Sequence, residues 1–257
     1  VVSNPSFRLD GRVAIVTGAG RNIGRAIAEA FAEAGAAIVV NGHRDQAAIE
    51  AVAQGIRDSG GRALAVMADV SDDAQVGAMV RQAVDAFGGV DIAVSNVSLR
   101  PMQGLLDITP EDWDRVLRTN LSSCFYMARH CLPPMLAAGR GGRFIHISGM
   151  DGFFGNVTLR AHNVAAKAGQ HGLAKAIARE FGDRGITANT VAPGPIDTER
   201  DWSQYAHQER EMVRQGVPLQ RFGHVDEIAG ACLFLASPAG GYVSGQVIHA
   251  NGGYLMY

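Results

Sequence analysis

VAIVTGAGRNIGRAIAEAFAEAG, residues 13–35, begins as a short β-rich apolar run, turns through Gly18, Gly20 and Gly24, and continues with helical periodicity. Glycines at these positions of Thr17-Gly18-Ala19-Gly20-Arg21-Asn22-Ile23-Gly24 allow a tight turn and close approach of the backbone to a ligand. The helix that follows presents unpaired N–H groups and a partial positive charge, a combination suited to a pyrophosphate. A glycine-rich turn alone is weak evidence, but one between a strand and a helix in a first βαβ unit has a mechanism. Gly18, Gly20, Arg21, Asn22, Ile23 and Gly24 are therefore candidate phosphate-binding residues of a dinucleotide site.

Outward from this unit, apolar runs alternate with longer helical patterns. The runs are AAIVV (36–40), RALAVMAD (62–69), DIAVSN (91–96), GRFIHIS (142–148), ITANTVAP (186–193) and QVIHA (246–250), which with VAIVT make seven expected strands. The first runs are apolar on both sides of the period-2 alternation, as in strands covered on both faces. Right-handed crossovers then predict a doubly wound parallel seven-stranded sheet, a Rossmann fold in a three-layer α/β/α sandwich. No linker or composition shift divides residues 1–257, so one domain is expected. The polar, aromatic-sprinkled stretch at about 195–222 is long for a connection in this architecture and is expected to form a substrate lid, with a surface helical excursion as the plainer reading.

At the end of the second strand stands Asn41-Gly42-His43-Arg44, with no acid before Asp45. An acid there would suit the 2′-hydroxyl of NAD, whereas basic groups suit the 2′-phosphate of NADP. Asn41, His43 and Arg44, with Arg21 nearby, favour NADP(H) over NAD(H). The alternative is that both arginines are solvated surface cations.

Bulk composition narrows the partners. Of 257 residues, 47% are hydrophobic and 19% charged, enough for a large core, and 23 basic residues against 25 acidic give a net charge of -2. Without basic excess, nucleic acid is not an expected partner. No apolar run reaches membrane-spanning length and no secretory pattern opens the sequence, so a cytoplasmic protein with no membrane partner is expected. Cys124, Cys131 and Cys232 form no CxxC and read as buried thiols. His130, His171 and His249 have no metal-ligand spacing, so no metal site is expected.

With these motifs placed, the chain resembles the classical short-chain dehydrogenases/reductases over roughly residues 7–253. Asp69-Val70 looks like the pair that contacts adenine, Asn96 like the second asparagine of NNAG, and Asn120 in RTNLSS like the helix asparagine of the catalytic tetrad. Ser148 looks like the catalytic serine and Lys167 in NVAAKAG like the lysine of YxxxK. Pro193-Gly194-Pro195-Ile196-Asp197-Thr198 resembles the segment seating the nicotinamide carboxamide, so Pro193, Gly194, Ile196 and Thr198 join the expected cofactor contacts. The C-terminal part resembles the region through which family members form homotetramers, which implies a homotetramer or homodimer here.

The resemblance also exposes a departure. In the family, a tyrosine four residues before the lysine is the general acid or base, with its phenol pKa lowered by the lysine. Here that position is Asn163, flanked by His162 and Val164. An amide can orient a carbonyl oxygen but cannot deliver a proton at neutral pH. His162 is the candidate replacement by chemistry, although neighbouring helix residues point about 100° apart. A substrate-binding role is its alternative. His146 shares a strand face with Ser148, and reads as either its partner or a structural histidine. Arg100 and Arg160 flank the expected pocket mouth, where they would suit an acidic small-molecule substrate.

The implied activity is an NAD(P)-dependent oxidoreductase on a small carbonyl or alcohol with a non-standard proton relay, built from Ser148, Lys167, Asn120, Asn163 and His162. An isomerase or lyase on the same scaffold, and a non-catalytic dinucleotide-binding protein, stay open as alternatives.

Overall fold

The computed structural model describes residues 6–153, 159–199, 211 and 213–256. Its seven strands are β1 (Val13–Val16), β2 (Ala37–Gly42), β3 (Arg62–Met67), β4 (Ile92–Ser95), β5 (Gly142–Ile147), β6 (Ile186–Pro193) and β7 (Val247–Ala250). They form one sheet in the order β3-β2-β1-β4-β5-β6-β7, and every pairing is parallel. All seven coincide with the apolar runs to within two residues at either end.

Helices among the described residues include α1 (Asn22–Glu33), α2 (Gln46–Asp58), α3 (Asp73–Phe87), α4 (Pro110–Leu117), α5 (Ser123–Ala138), α6 (Ala161–Phe181) and α7 (Val225–Ala236). On one face of the sheet, Ile27 and Phe31 of α1, Ile49 of α2 and Leu235 of α7 pack on Ala14, Val16, Ile38 and Val94. On the other, Met79 of α3, Met127 and Met135 of α5 and Ile177 of α6 pack on Ile15, Val39 and Phe144. Alternate residues of each central strand thus enter opposite cores, which is why the strand sequences read as continuously apolar. A wholly buried side chain such as Phe31 contributes about 1.5–3 kcal/mol.

The chain passes from β1 outward through β2 and β3, then returns to place β4 on β1's other side. The strand order therefore reverses between β1 and β4. A crevice opens at such a point beyond the carboxyl ends of the strands, and ligands bind there. Residues 200–210 and 212 of the expected lid lie outside the described residues. Its two feet are fixed: Asp197 N–H donates to Gly223 O at 2.9 Å, and Gly223 N–H to Pro195 O at 2.9 Å. Among the described residues no helix is long and apolar enough to cross a membrane.

Candidate active site

Several helices are closed at their N-termini by side chains. Asp45 accepts from Ala48 N on α2, Asp72 from Ala74 N and Gln75 N on α3, and Thr109 from Asp112 N on α4. The N-terminus of α1 has no such cap and no acid in its first turn; Arg21 precedes it in extended conformation. Its backbone donors thus remain available to an anion, beyond the carboxyl ends of β1 and β4 where the strand order reverses.

The loop itself is braced from behind. Asn96 N–H donates to Thr17 Oγ1 at 2.9 Å, and Asn96 Nδ2 donates to Thr17 O at 3.0 Å and Gly18 O at 3.2 Å. A Cβ on Gly24 would collide with Gly18 O and lie 2.6 Å from Asn96 Nδ2. Only glycine allows α1 to start this close to the turn. Asn22 Oδ1 accepts from Glu199 N at 2.8 Å, tying the loop to the 193–199 segment that carries Pro193, Gly194, Ile196 and Thr198. An open helix end above a glycine cradle fits a dinucleotide pyrophosphate.

Asn41 differs from its expected place at the adenosine ribose. It is buried, donating through Nδ2 to Val66 O at 3.2 Å and Ala68 O at 3.1 Å, with Oδ1 facing Gly18 N at 3.4 Å. Its side chain turns inward because those carbonyls and the loop N–H need partners in the interior. His43 and Arg44 are exposed just beyond, and His43 Nδ1 lies 3.7 Å from Asp69 Oδ2. Asp69 also accepts from Ser71 N and Oγ, while Val70 is buried.

On the other side of the crevice, Asn120 sits in a single wide turn, Arg118–Ser122, of π-helical geometry between α4 and α5. Asn120 is fully buried. Its Oδ1 accepts from Leu99 N at 2.7 Å, and its Nδ2 donates to Leu99 O at 2.8 Å and Asn163 Oδ1 at 3.0 Å. The Asn163 amide therefore points its Nδ2 away from Asn120, and that nitrogen donates to Asp151 Oδ2 at 2.8 Å.

Lys167, one turn further along α6, is buried and donates to Ile147 O at 2.7 Å. Its pKa is lowered to about 8, chiefly by burial and in part by the charge of Arg100, while Cys124 and Asp151 pull the other way. Ser148 Oγ donates to Val191 O at 3.2 Å at the end of β5.

His162 is wholly buried, and both ring nitrogens are engaged. Nδ1 accepts from Asn163 N at 2.9 Å and Nε2 lies 3.2 Å from Gln103 Oε1, an arrangement that requires the Nε2–H tautomer. Gln103 is oriented in turn, its Nε2 donating to Asp112 Oδ2 at 2.8 Å, and its backbone N–H donates to Leu159 O at 2.8 Å. So the expected proton donor closes the start of α6 and holds the loop after β4, because two hydrogen bonds fix it there.

His146 is also wholly buried, but neither ring nitrogen has a hydrogen-bond partner among the described residues, and burial with the charges of Lys167 and His171 lowers its pKa to about 4. It is neutral, and it makes no hydrogen bond to Ser148. Arg100 is exposed yet close enough for its charge to act on Lys167, whereas Arg160 precedes α6 with Nε buried and unpartnered. The three cysteines are free and buried, and burial pushes their thiols up. Among the described residues no group of three His, Cys, Asp or Glu side chains could hold a metal ion.

The sequence reading missed Gln103 and Asp151. Gln103 lies in an irregular loop with no periodic signal. Asp151 carried one: it is the acid of Gly149-Met150-Asp151-Gly152, directly after the strand that ends at the site.

The profile of the family described as enoyl-(acyl carrier protein) reductase matches residues 18–255. The 3-oxoacyl-[acyl-carrier-protein] reductase of Vibrio cholerae is 39% identical over 253 residues, covering 97% of this chain and 100% of its own. A gluconate 5-dehydrogenase from Burkholderia cenocepacia, solved with NADP and tartrate, superposes with a TM-score of 0.90 at 35% identity over 96% of both chains. A 7α-hydroxysteroid dehydrogenase, solved with NADH and 7-oxoglycochenodeoxycholic acid, gives 0.90 at 34% identity, covering 96% of this chain and 95% of its own.

Proposed function

The chain belongs to the short-chain dehydrogenase/reductase family of NAD(P)-dependent oxidoreductases, and from that premise we propose that it interconverts a small acidic alcohol and its carbonyl compound, with NADP(H) favoured over NAD(H). The observation that carries the reading is Lys167. It is a buried cation at the carboxyl end of β5, drawn down to about 8 and hydrogen-bonded to Ile147 O, in a site otherwise charged by Arg100 and Asp151. A non-catalytic binding protein has no use for a desolvated ammonium there.

The bound dinucleotide would supply or take the hydride. Gly18, Gly20, Arg21, Asn22, Ile23 and Gly24 would hold its phosphates. Arg44 and His43, with Arg21, would favour a 2′-phosphate, Asp69 and Val70 would border the adenine, and Pro193, Gly194, Ile196 and Thr198 the nicotinamide. Asn96 acts through the loop it braces. Ser148 and Asn163 border the substrate oxygen, and Lys167 with Asn120 governs proton supply behind them. An acidic substrate would meet Arg100 and Arg160 at the mouth of this site. Among the solved relatives, the gluconate 5-dehydrogenase holds NADP and tartrate, and the 7α-hydroxysteroid dehydrogenase holds NADH.

The same reading takes residues 1–257 as one domain with a lid at about 195–222, and the protein as a cytoplasmic homotetramer or homodimer. Three free buried cysteines suit a reducing compartment. The edge strand β7 leaves Val247 and Ile248 half-buried, and Tyr242 beside it is fully exposed, an apolar border suited to another subunit.

Fluorescence titration with NADPH and NADH, followed by an absorbance screen of hydroxy and oxo acids, tests the proposal. The expected result is tighter NADPH binding and turnover in the parent protein. His162→Ala should raise KM about tenfold with a smaller loss in kcat, because the residue holds the Gln103 loop. Failure to bind either dinucleotide, or activity appearing only in Asn163→Tyr, would overturn the reading.

A further inference from the structure

We infer that Asp151 is the proton-transferring residue of this site, its carboxylate standing where the family's phenol is missing. The inference rests on the oxidoreductase reading above and adds to it a catalytic residue.

The position four residues before Lys167 is occupied by an amide that moves no proton. Yet the structure does not end the hydrogen-bond chain there. Asn120 Nδ2 donates to Asn163 Oδ1, and Asn163 Nδ2 passes the chain on to Asp151 Oδ2. The next group is thus one that binds and releases protons, and one oxygen further into the site. Its other oxygen, Oδ1, has no hydrogen-bond partner among the described residues, and Asp151 is only half-buried, so that oxygen is available to a ligand.

The turn carrying Asp151 is held firmly. Met150–Gly152 forms a short 3-10 turn, and a Cβ on Gly152 would lie 2.8 Å from His171 Cε1 and 3.0 Å from Ala168 N. Only a glycine lets the turn press on α6 one residue beyond Lys167. Phe153 then stacks on His171 with centroids 4.2 Å apart and tilts against His249 at 4.8 Å. Asp151 is fixed by backbone packing on one side and by the Asn163 amide on the other, as a group acting on a reacting oxygen must be.

The chemistry follows from the residue type. Among the described residues, Lys167 is near enough to Asp151 to feel its charge, and His171 and His249 pack against the turn through Gly152 and Phe153. An ionised carboxylate takes protons. In the oxidation of an alcohol, the substrate O–H bond breaks and its proton goes to Asp151 Oδ1, forming a carboxylic acid. The electron pair of the carbinol C–H bond leaves as hydride to the oxidised dinucleotide, and a C=O bond forms. Solvent then receives the proton from the half-buried Asp151. By microscopic reversibility the same carboxyl group returns the proton in the reverse reduction.

Asp151→Asn tests this, because its amide oxygen still accepts from Asn163 Nδ2 but takes no proton. Expected is a loss of about 100- to 10,000-fold in hydroxy-acid oxidation, with NADPH affinity changed less than about twofold. Asp151→Glu should recover part of the activity. A second readout needs no turnover: NMR of isotope-labelled aspartate carboxyls in the NADPH complex, titrated with tartrate or lactate. One carboxyl signal, absent in Asp151→Asn, should move as the hydroxy acid binds. If Asp151→Asn keeps the parent's rate while hydroxy acids are still oxidised, or if the signal stays still on binding, Asp151 merely orients Asn163 and the inference falls while the oxidoreductase reading stands. If neither hydroxy acid is bound or turned over, or no dinucleotide binds, both fall together.

Discussion

The two sides of the crevice are built by different means. On the β1–β2 side the ligand-facing surface is largely backbone: a glycine turn, an open helix end, and polar side chains such as Asn41 and Asn96 that serve the loop from behind. On the β5–α6 side it is largely side chain: Asn120 to Asn163 to Asp151, His162 to Gln103 to Asp112, and Lys167 on a strand carbonyl. A backbone cradle suits a ligand of fixed shape and tolerates no substitution that fills it. A side-chain network can lose its central group and be rewired around a different residue. On the proposed reading, the dinucleotide side can therefore keep the family's pattern while the reacting side carries the Asn163 amide where the family resemblance implies a phenol.

The sharpest way to break this contrast is to fill the cradle. In Gly24→Val the new side chain meets Gly18 O and Asn96 Nδ2 with nowhere to go, so α1 must shift off the turn. Dinucleotide affinity should fall by more than about 100-fold, with a stability loss of about 1–3 kcal/mol from overpacking. Isothermal titration with NADPH and a denaturant curve check it. Near-normal affinity would mean that the phosphates do not lie over this turn.

Lys167 marks the other side, where function is held at a cost in stability. Its pKa is lowered from 10.5 to about 8 by burial. Between those values the unfolded chain binds more protons at this residue than the folded one does, so stability from this group rises with pH across the window and the cost of the buried ammonium is largest below it. Lys167→Met removes the titration. The stability difference between parent and variant should therefore shift toward the parent by about 2–3 kcal/mol from pH 7 to pH 10, read by urea denaturation at both values, while the variant loses turnover at either. A difference independent of pH would show that the ammonium is not desolvated.

The same division explains what could be read in advance. Strand positions and the glycine turn between β1 and α1 were legible because apolar alternation and glycine spacing are local in sequence. Asn120, Ser148 and Lys167 were recognisable by motif, but their partners were not. Nothing in His162-Asn163 says that the imidazole will accept its neighbour's N–H and reach Gln103, 59 residues away. Asp151 was visible only as an acid between glycines. Its meaning depends on Gly152 lying flat on α6, a tertiary contact with no periodic signature.

The smallest expected effect lies at the far end of the cradle, where the backbone rule gives way to exposed charge. Arg44 follows β2 on the surface, and Arg21 is exposed at the start of α1. Neither side chain is held by the interior, so each contributes to a 2′-phosphate only what a partly solvated ion pair can, about 1 kcal/mol. Arg44→Ala should weaken NADPH about fivefold and leave NADH within about twofold, and the difference should shrink as salt is raised. Fluorescence titrations of both dinucleotides at low and high ionic strength measure it. Equal weakening of the two would assign Arg44 to the shared part of the molecule, and no change in either would make it a solvated cation. In both cases the cofactor preference would then have to come from groups other than the basic pair, beginning with His43 beside Asp69.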